Sequence, residues 1–122
     1  MRILVVDDDS AARKISCLSL RRFGGIDVIE ATCGTEAIAR AVESQPDGVL
    51  LDVMMPGLDG PSTLAALRRE PRTASIPVMF LTARAMSWEV AHLKGLGAVA
   101  VFTKPFDPVA LPRHVRQALG HP

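Results

Sequence analysis

Four short stretches of the chain, residues 3–6, 48–51, 78–81 and 99–102, are apolar at every position if glycine is counted with them. Each is one strand long, and unbroken apolarity predicts burial on both faces, as in the interior of a parallel sheet. A fifth stretch, residues 27–30, is flanked by charge and is expected at a sheet edge. Helical patterns fill the intervals. Asp9 or Ser10 can cap the first helix, which places Ala11, Ile15 and Leu18 on one stripe and ends at Gly24 and Gly25. The second, over 35–43, carries Ala37, Ile38, Ala41 and Val42 on its inner face. The third opens with Asp59-Gly60-Pro61 and presents Leu64 and Leu67. The fourth, over 87–94, is the least regular, with Trp88 packed or half exposed. The last begins near Asp107-Pro108 and aligns Leu111, Val115 and Leu119, although Pro112 argues for a later start. Five βα units in succession predict a parallel sheet with helices on both faces and right-handed crossovers. In such sheets, sites lie beyond the carboxyl ends of the strands, where the strand order reverses.

Composition narrows the class. The 122 residues fit one domain spanning 1–122, and 48% hydrophobic with 22% charged residues is ordinary for a globular protein. A net charge of +1 gives no global attraction to nucleic acid or to an anionic membrane. Arg21/Arg22 and Arg68/Arg69 fall near predicted helix C-termini, where they complement the macrodipole. No apolar run approaches the roughly 20 residues that span a bilayer, and Asp7-Asp8-Asp9 does not suit a signal-peptide cleavage region. A cytoplasmic location is therefore expected. Cys17 and Cys33 are isolated and expected to be free thiols, and His92, His114 and His121 share no ligand spacing, which argues against a zinc site.

The predicted strand ends carry the chemistry. Strand one runs into Asp7-Asp8-Asp9, strand three ends in Asp52, strand four in Thr82-Ala83 and strand five in Lys104-Pro105. The fold brings these groups to one rim. Clustered carboxylates repel one another unless a cation or a lysine compensates them. Oxygen ligands without His or Cys favour a hard cation, and Mg²⁺ suits one or two carboxylates with a phosphate oxygen. Lys104 offers a compact positive charge and Thr82 a hydroxyl donor for a phosphoryl oxygen. No GxxxxGK[ST] or GxGxxG motif is present, so ATP is not the expected donor. An Asp carboxylate can form an acyl phosphate, and Asp52, alone at its strand end, is the candidate acceptor. Asp7 and Asp8 are left to hold the metal, and Asp9 to cap the helix. Taken alone, the triple Asp could simply be a capping and turn device; the four elements at successive strand ends favour the phosphoryl site.

Together, Val5-Val6-Asp7-Asp8, Leu51-Asp52-Val53-Met54-Met55-Pro56-Gly57-Leu58-Asp59-Gly60, Thr82-Ala83 and Lys104-Pro105-Phe106 resemble the response-regulator receiver domains of two-component signalling, over the whole chain. The resemblance implies an α/β fold with a doubly wound five-stranded parallel sheet in the flavodoxin-like order 2-1-3-4-5. It implies Mg²⁺ held by Asp8, Asp52 and the backbone carbonyl of Met54, with Asp7 acting through water. The phosphoryl donor would be a phosphohistidine on a sensor histidine kinase or a histidine phosphotransfer protein, and the peptide before Pro105 would be cis. Such a domain assists only its own phosphorylation and dephosphorylation and is no enzyme toward an outside substrate. The family often has an aromatic residue three positions before the lysine. Here that position is Val101, with Phe102 predicted on the opposite face, so signalling is expected to run through the loop near Thr82 and the fourth helix. Met54 and Arg84 occupy the positions that govern water attack on the acyl phosphate, and imply a long-lived phosphoprotein.

Two other classes fit less well. A haloacid-dehalogenase-like phosphatase, a small Mg-dependent enzyme, needs a second acid two residues after its nucleophile, where this chain has Met54. A flavodoxin-like electron carrier needs a hydroxyl- and glycine-rich phosphate loop, and Asp7-Asp8-Asp9 would repel a flavin phosphate. A stand-alone adaptor or relay intermediate is the simplest expectation, with a receiver cut from a longer transcription factor or signalling enzyme as the alternative. No direct nucleic-acid or membrane binding is expected. A homodimer through the fourth helix, fifth strand and fifth helix is possible within the family.

Overall fold

The computed structural model describes residues 1–84 and 86–120; His121 lies outside them. Elements alternate without exception: β1 (Arg2–Val6), α1 (Ser10–Gly24), β2 (Asp27–Ala31), α2 (Gly34–Ser44), β3 (Gly48–Asp52), α3 (Gly60–Arg69), β4 (Val78–Thr82), α4 (Ser87–Gly95), β5 (Ala100–Thr103) and α5 (Leu111–Ala118). All strand pairs are parallel, in the order β2-β1-β3-β4-β5. The order reverses between β1 and β3, which places the ends of those two strands side by side at the switch point.

Two apolar layers sandwich the sheet. Leu4, Val6, Val49, Leu51, Val78 and Phe80 point toward α2, α3 and α4, while Ile3, Val5, Leu50, Met79 and Leu81 point toward α1 and α5. This is the period-2 alternation of a strand whose two faces are both covered. Phe80 is fully buried, and burying a side chain of that size contributes roughly 1.5–3 kcal/mol.

The sequence expectations hold for β1, β3 and β4 and for β2 at an edge, and need correction at β5, in α1 and at Trp88. Residues 99–102 were expected to be buried on both faces, yet Ala100, Val101 and Phe102 are only half buried and Val99 is exposed. β5 is the second edge strand, with no neighbour beyond it in the sheet. In α1, Ile15 and Leu18 are half exposed, and the buried positions are Ser16, Cys17, Ser19 and Leu20. The inner face of α1 meets both the sheet and α5 at close range, where small side chains fit: a Cβ on Gly24 would stand 2.7 Å from the Pro112 side chain. Ser19 donates its hydroxyl to the Pro108 carbonyl. Trp88 is exposed on α4. Pro112 does move the start of α5 past residue 108, to Leu111, and sits in the first turn, where its missing N–H costs nothing. Both cysteines are free. Among the described residues no helix is long and apolar enough to cross a membrane.

Candidate phosphoacceptor site

β1 and β3 both end at the switch point, and their polar termini make the site. The last strand residues are Val6 and Asp52, so Asp7 is the first residue beyond β1 and Asp52 the last of β3. Asp7 and Asp52 are buried and Asp8 is exposed, and each offers a carboxylate oxygen within 4.8 Å of the others. Lys104, just past β5, brings Nζ to 3.2 Å from Asp7 Oδ2 and 3.4 Å from Asp52 Oδ1. The peptide from Lys104 to Pro105 is cis, and the Lys104 N–H donates to the Thr82 carbonyl at 2.8 Å.

The loop after Asp52 is shaped by two glycines. Gly57 has φ +74°, a left-handed conformation that glycine adopts without Cβ strain. Gly60 opens α3 so close to the end of β3 that a Cβ there would stand 2.6 Å from the Asp52 backbone oxygen. Asp59 caps α3 through the Ser62 N–H. The helix start is thereby pinned against the chain that carries Asp52, and the Gly60 N–H donates to the Val53 carbonyl.

Burial and like charge together set the electrostatics. Burial first, and the Asp7 carboxylate second, push the Asp52 carboxyl up to about 6; Lys104 and the Met54 backbone N–H pull it back only in part. Burial alone would lower the Lys104 ammonium, but Asp52 and Asp7 together overrule it and hold the group above its ordinary value. Asp9, as expected, belongs to the helix: its Oδ1 accepts the N–H groups of Ala11 and Ala12.

The other expected residues fall as follows. Thr82 is buried at the end of β4, and its hydroxyl oxygen accepts the Arg84 N–H at 3.0 Å. The Arg84 side chain is exposed and lies 3.7 Å from Glu89 in the first turn of α4. Met54 is exposed beside Asp52. Val101 packs toward the α2, α3 and α4 layer, and Phe102 toward the opposite layer, where it stacks on His114. Two contributors went unread in the sequence: Arg13, which donates to the Asp7 carbonyl, and Glu30, which receives Arg13.

The donor set suits a hard divalent cation. Three carboxylates converge with a single lysine to balance them, and every donor is oxygen. Carboxylates gathered beside a lysine in this way are the groups that acyl-phosphate chemistry uses.

Comparison with known proteins agrees. The family model described as "Response regulator receiver domain" matches residues 3–116. The DNA-binding dual master transcriptional regulator RpaA of Synechocystis is 40% identical over 97% of this chain and 48% of its own length. The phosphate regulon transcriptional regulatory protein PhoB of Escherichia coli is 38% identical over 97% of this chain and 51% of its own. The chain thus spans about half the length of these curated relatives. Among solved structures, a response regulator from Desulfuromonas acetoxidans superposes with a TM-score of 0.86 at 31% identity, covering 98% of this chain and 96% of the other. The Vibrio cholerae chemotaxis protein CheY4 superposes with a TM-score of 0.87 at 28% identity, covering 96% and 97%. The chain belongs to the response-regulator receiver domains of two-component signalling.

Proposed function

We propose that Asp52 is the phosphoacceptor of this receiver domain, that Asp7, Asp8, Asp52 and the Met54 carbonyl hold Mg²⁺, and that Thr82 and Lys104 receive the phosphoryl group. The observation that carries the reading is the placement of Lys104 Nζ against both Asp7 and Asp52, with Asp8 alongside. The donor is a phosphohistidine on a sensor histidine kinase or phosphotransfer protein. An Asp52 oxygen attacks phosphorus, the P–N bond breaks as the P–O bond forms, and the departing imidazole keeps its electron pair and takes a proton from water. With a carboxyl at about 6, Asp52 is mostly ionised at neutral pH and ready to attack. Bound Mg²⁺ would supply charge neutralisation between the carboxylates and the incoming phosphoryl oxygens. Lys104 then exchanges its contact with Asp52 for a phosphoryl oxygen, and the Thr82 hydroxyl turns to donate to another.

That turn bears on output. The Thr82 hydroxyl now accepts the Arg84 N–H, and Arg84 lies beside Glu89 of α4, so rearrangement at Thr82 is positioned to shift the loop and α4. Val101 leaves no aromatic side chain at the usual switch position, which puts the signal on this loop and on the α4, β5 and α5 face, where a homodimer or target would read it. Arg84 and Met54 are proposed to slow water attack and lengthen the lifetime of the phosphoprotein. The twofold greater length of the transcriptional regulators it resembles favours, as a second reading, a receiver module serving an output domain.

The chemistry is testable through the bond formed. Incubation with phosphoramidate, a phosphohistidine mimic, and Mg²⁺ is expected to give a label that neutral hydroxylamine removes, the behaviour of an acyl phosphate. A label resistant to hydroxylamine would mean that a hydroxyl group had been phosphorylated and Asp52 had not.

A further inference from the structure

Arg13 reaches from the first turns of α1 to the back of the acidic turn. Its Nη1 donates to the Asp7 backbone oxygen at 2.8 Å, and its Nε donates to Glu30 Oε1 at 3.1 Å. Only 16% of its side chain is exposed. Glu30 Oε2 faces Arg21 more loosely, at 3.8 Å. The Asp7 side chain is fixed separately, Oδ1 by the Asp9 N–H at 3.0 Å and Oδ2 by Lys104. The Asp7 carbonyl and the Asp7 carboxylate therefore have different anchors: the Asp7 N–H donates to the Ala31 carbonyl of β2 at 3.2 Å, and the carbonyl is held by Arg13 of α1, itself held by Glu30.

We propose that Arg13 is a positioning residue for the cation site: it clamps the Asp7-Asp8 turn through the Asp7 carbonyl, and Glu30 aims and neutralises its guanidinium. The proposal rests on the reading of Asp7, Asp8 and Asp52 as a Mg²⁺ site. Arg13 has two opposed effects on a bound dication. Its charge repels the ion, and its hydrogen bond orders the turn that presents two of the three carboxylates. Glu30, in direct contact, cancels most of the charge and leaves the ordering to dominate. Outer partners of this kind typically change metal affinity by about 10- to 100-fold when removed.

The sign of the effect separates the two contributions. If charge were all that mattered, Arg13→Ala would bind Mg²⁺ more tightly than wild type; the clamp requires weaker binding, on the order of tenfold. Glu30→Gln keeps the clamp and exposes its charge, so it also weakens binding, but its deficit relative to wild type shrinks as salt screens the guanidinium. Arg13→Lys, with one compact donor group, cannot reproduce the planar fork and falls between. Arg21→Ala touches Glu30 but not Asp7 and leaves the affinity unchanged.

The experiment is calorimetric titration of Mg²⁺ into each variant, with amide exchange of Asp8 and Asp9 followed in metal-free protein. Weaker binding by Arg13→Ala, with faster exchange at Asp9, is the expected result. Binding by Arg13→Ala as tight as wild type, or tighter, overturns the proposal and leaves the metal site standing. No Mg²⁺ binding by wild type overturns both. Should Arg13→Ala fail to fold, Arg13→Lys carries the comparison, and wild-type affinity in it overturns the clamp.

Discussion

Asp52→Asn is expected to stabilise the metal-free protein at neutral pH even as it removes the proposed acceptor. The folded protein holds the Asp52 carboxyl at about 6 against an ordinary 3.8, because burial and Asp7 disfavour its charge. A raised acid pKa means that the folded state binds its proton more tightly than the unfolded state does. Below pH 3.8 both states are protonated and the group costs nothing; the cost grows as pH rises to about 6 and is constant above. At roughly 1.4 kcal/mol per pH unit it reaches about 3 kcal/mol. Asparagine has nearly the same shape and no charge, so thermal unfolding of Asp52→Asn at pH 7 without Mg²⁺ should show a Tm higher by roughly 10 °C. The advantage should vanish near pH 4. A Tm equal to wild type at pH 7 would mean that the carboxylates are already relaxed without a cation, and the electrostatic account of the site would be wrong.

Lys104→Met should do the reverse. Lys104 is the one cation paired with the Asp7 and Asp52 carboxylates among the described residues, at 3.2 and 3.4 Å. Removing one partner from a buried ion pair costs about 3–5 kcal/mol; with 24% of the Lys104 side chain exposed, about 2–3 kcal/mol is expected here. Loss of Lys104 also lets Asp52 rise further above 6, so the deficit is full only above that raised value and shrinks as Asp52 protonates below it. The lysine itself stabilises the fold below its ordinary value of 10.5, and that contribution disappears as pH climbs through its raised folded value. Mg²⁺ should restore more stability to Lys104→Met than it adds to wild type, since it replaces the missing charge. Denaturant unfolding with and without Mg²⁺ measures this; an equal gain in both proteins would show that lysine and cation do not answer the same carboxylates.

The rim of the sheet was legible because a strand buried on both faces is an unbroken apolar run, and the first polar residue after it marks the strand end. Asp7, Asp52 and Thr82 could be placed that way, Lys104 one residue past Thr103, and Asp9 declared itself as a cap by preceding a helical pattern. What escaped depended on neighbours distant in sequence. The edge position of β5 followed only from the strand order that the resemblance implied, because its own residues are as apolar as those of a central strand. The inner face of α1 is lined by Ser16, Cys17 and Ser19 because α5 lies close, so the more hydrophobic Ile15 and Leu18 marked the outward side. Arg13 escaped for the same reason: with the helix rotated in the reading, its reach to Asp7 and to Glu30, 17 residues away, had no signal along the chain.

Asp52 is proposed to accept the phosphoryl group with the help of a divalent cation. Intact-protein mass after incubation with acetyl phosphate and Mg²⁺ tests it most directly, on wild type and on Asp52→Asn. One added phosphoryl group on wild type, absent with EDTA and absent from the mutant, is the predicted result. A folded wild type that gains no mass, or a mutant that gains as much, would contradict it.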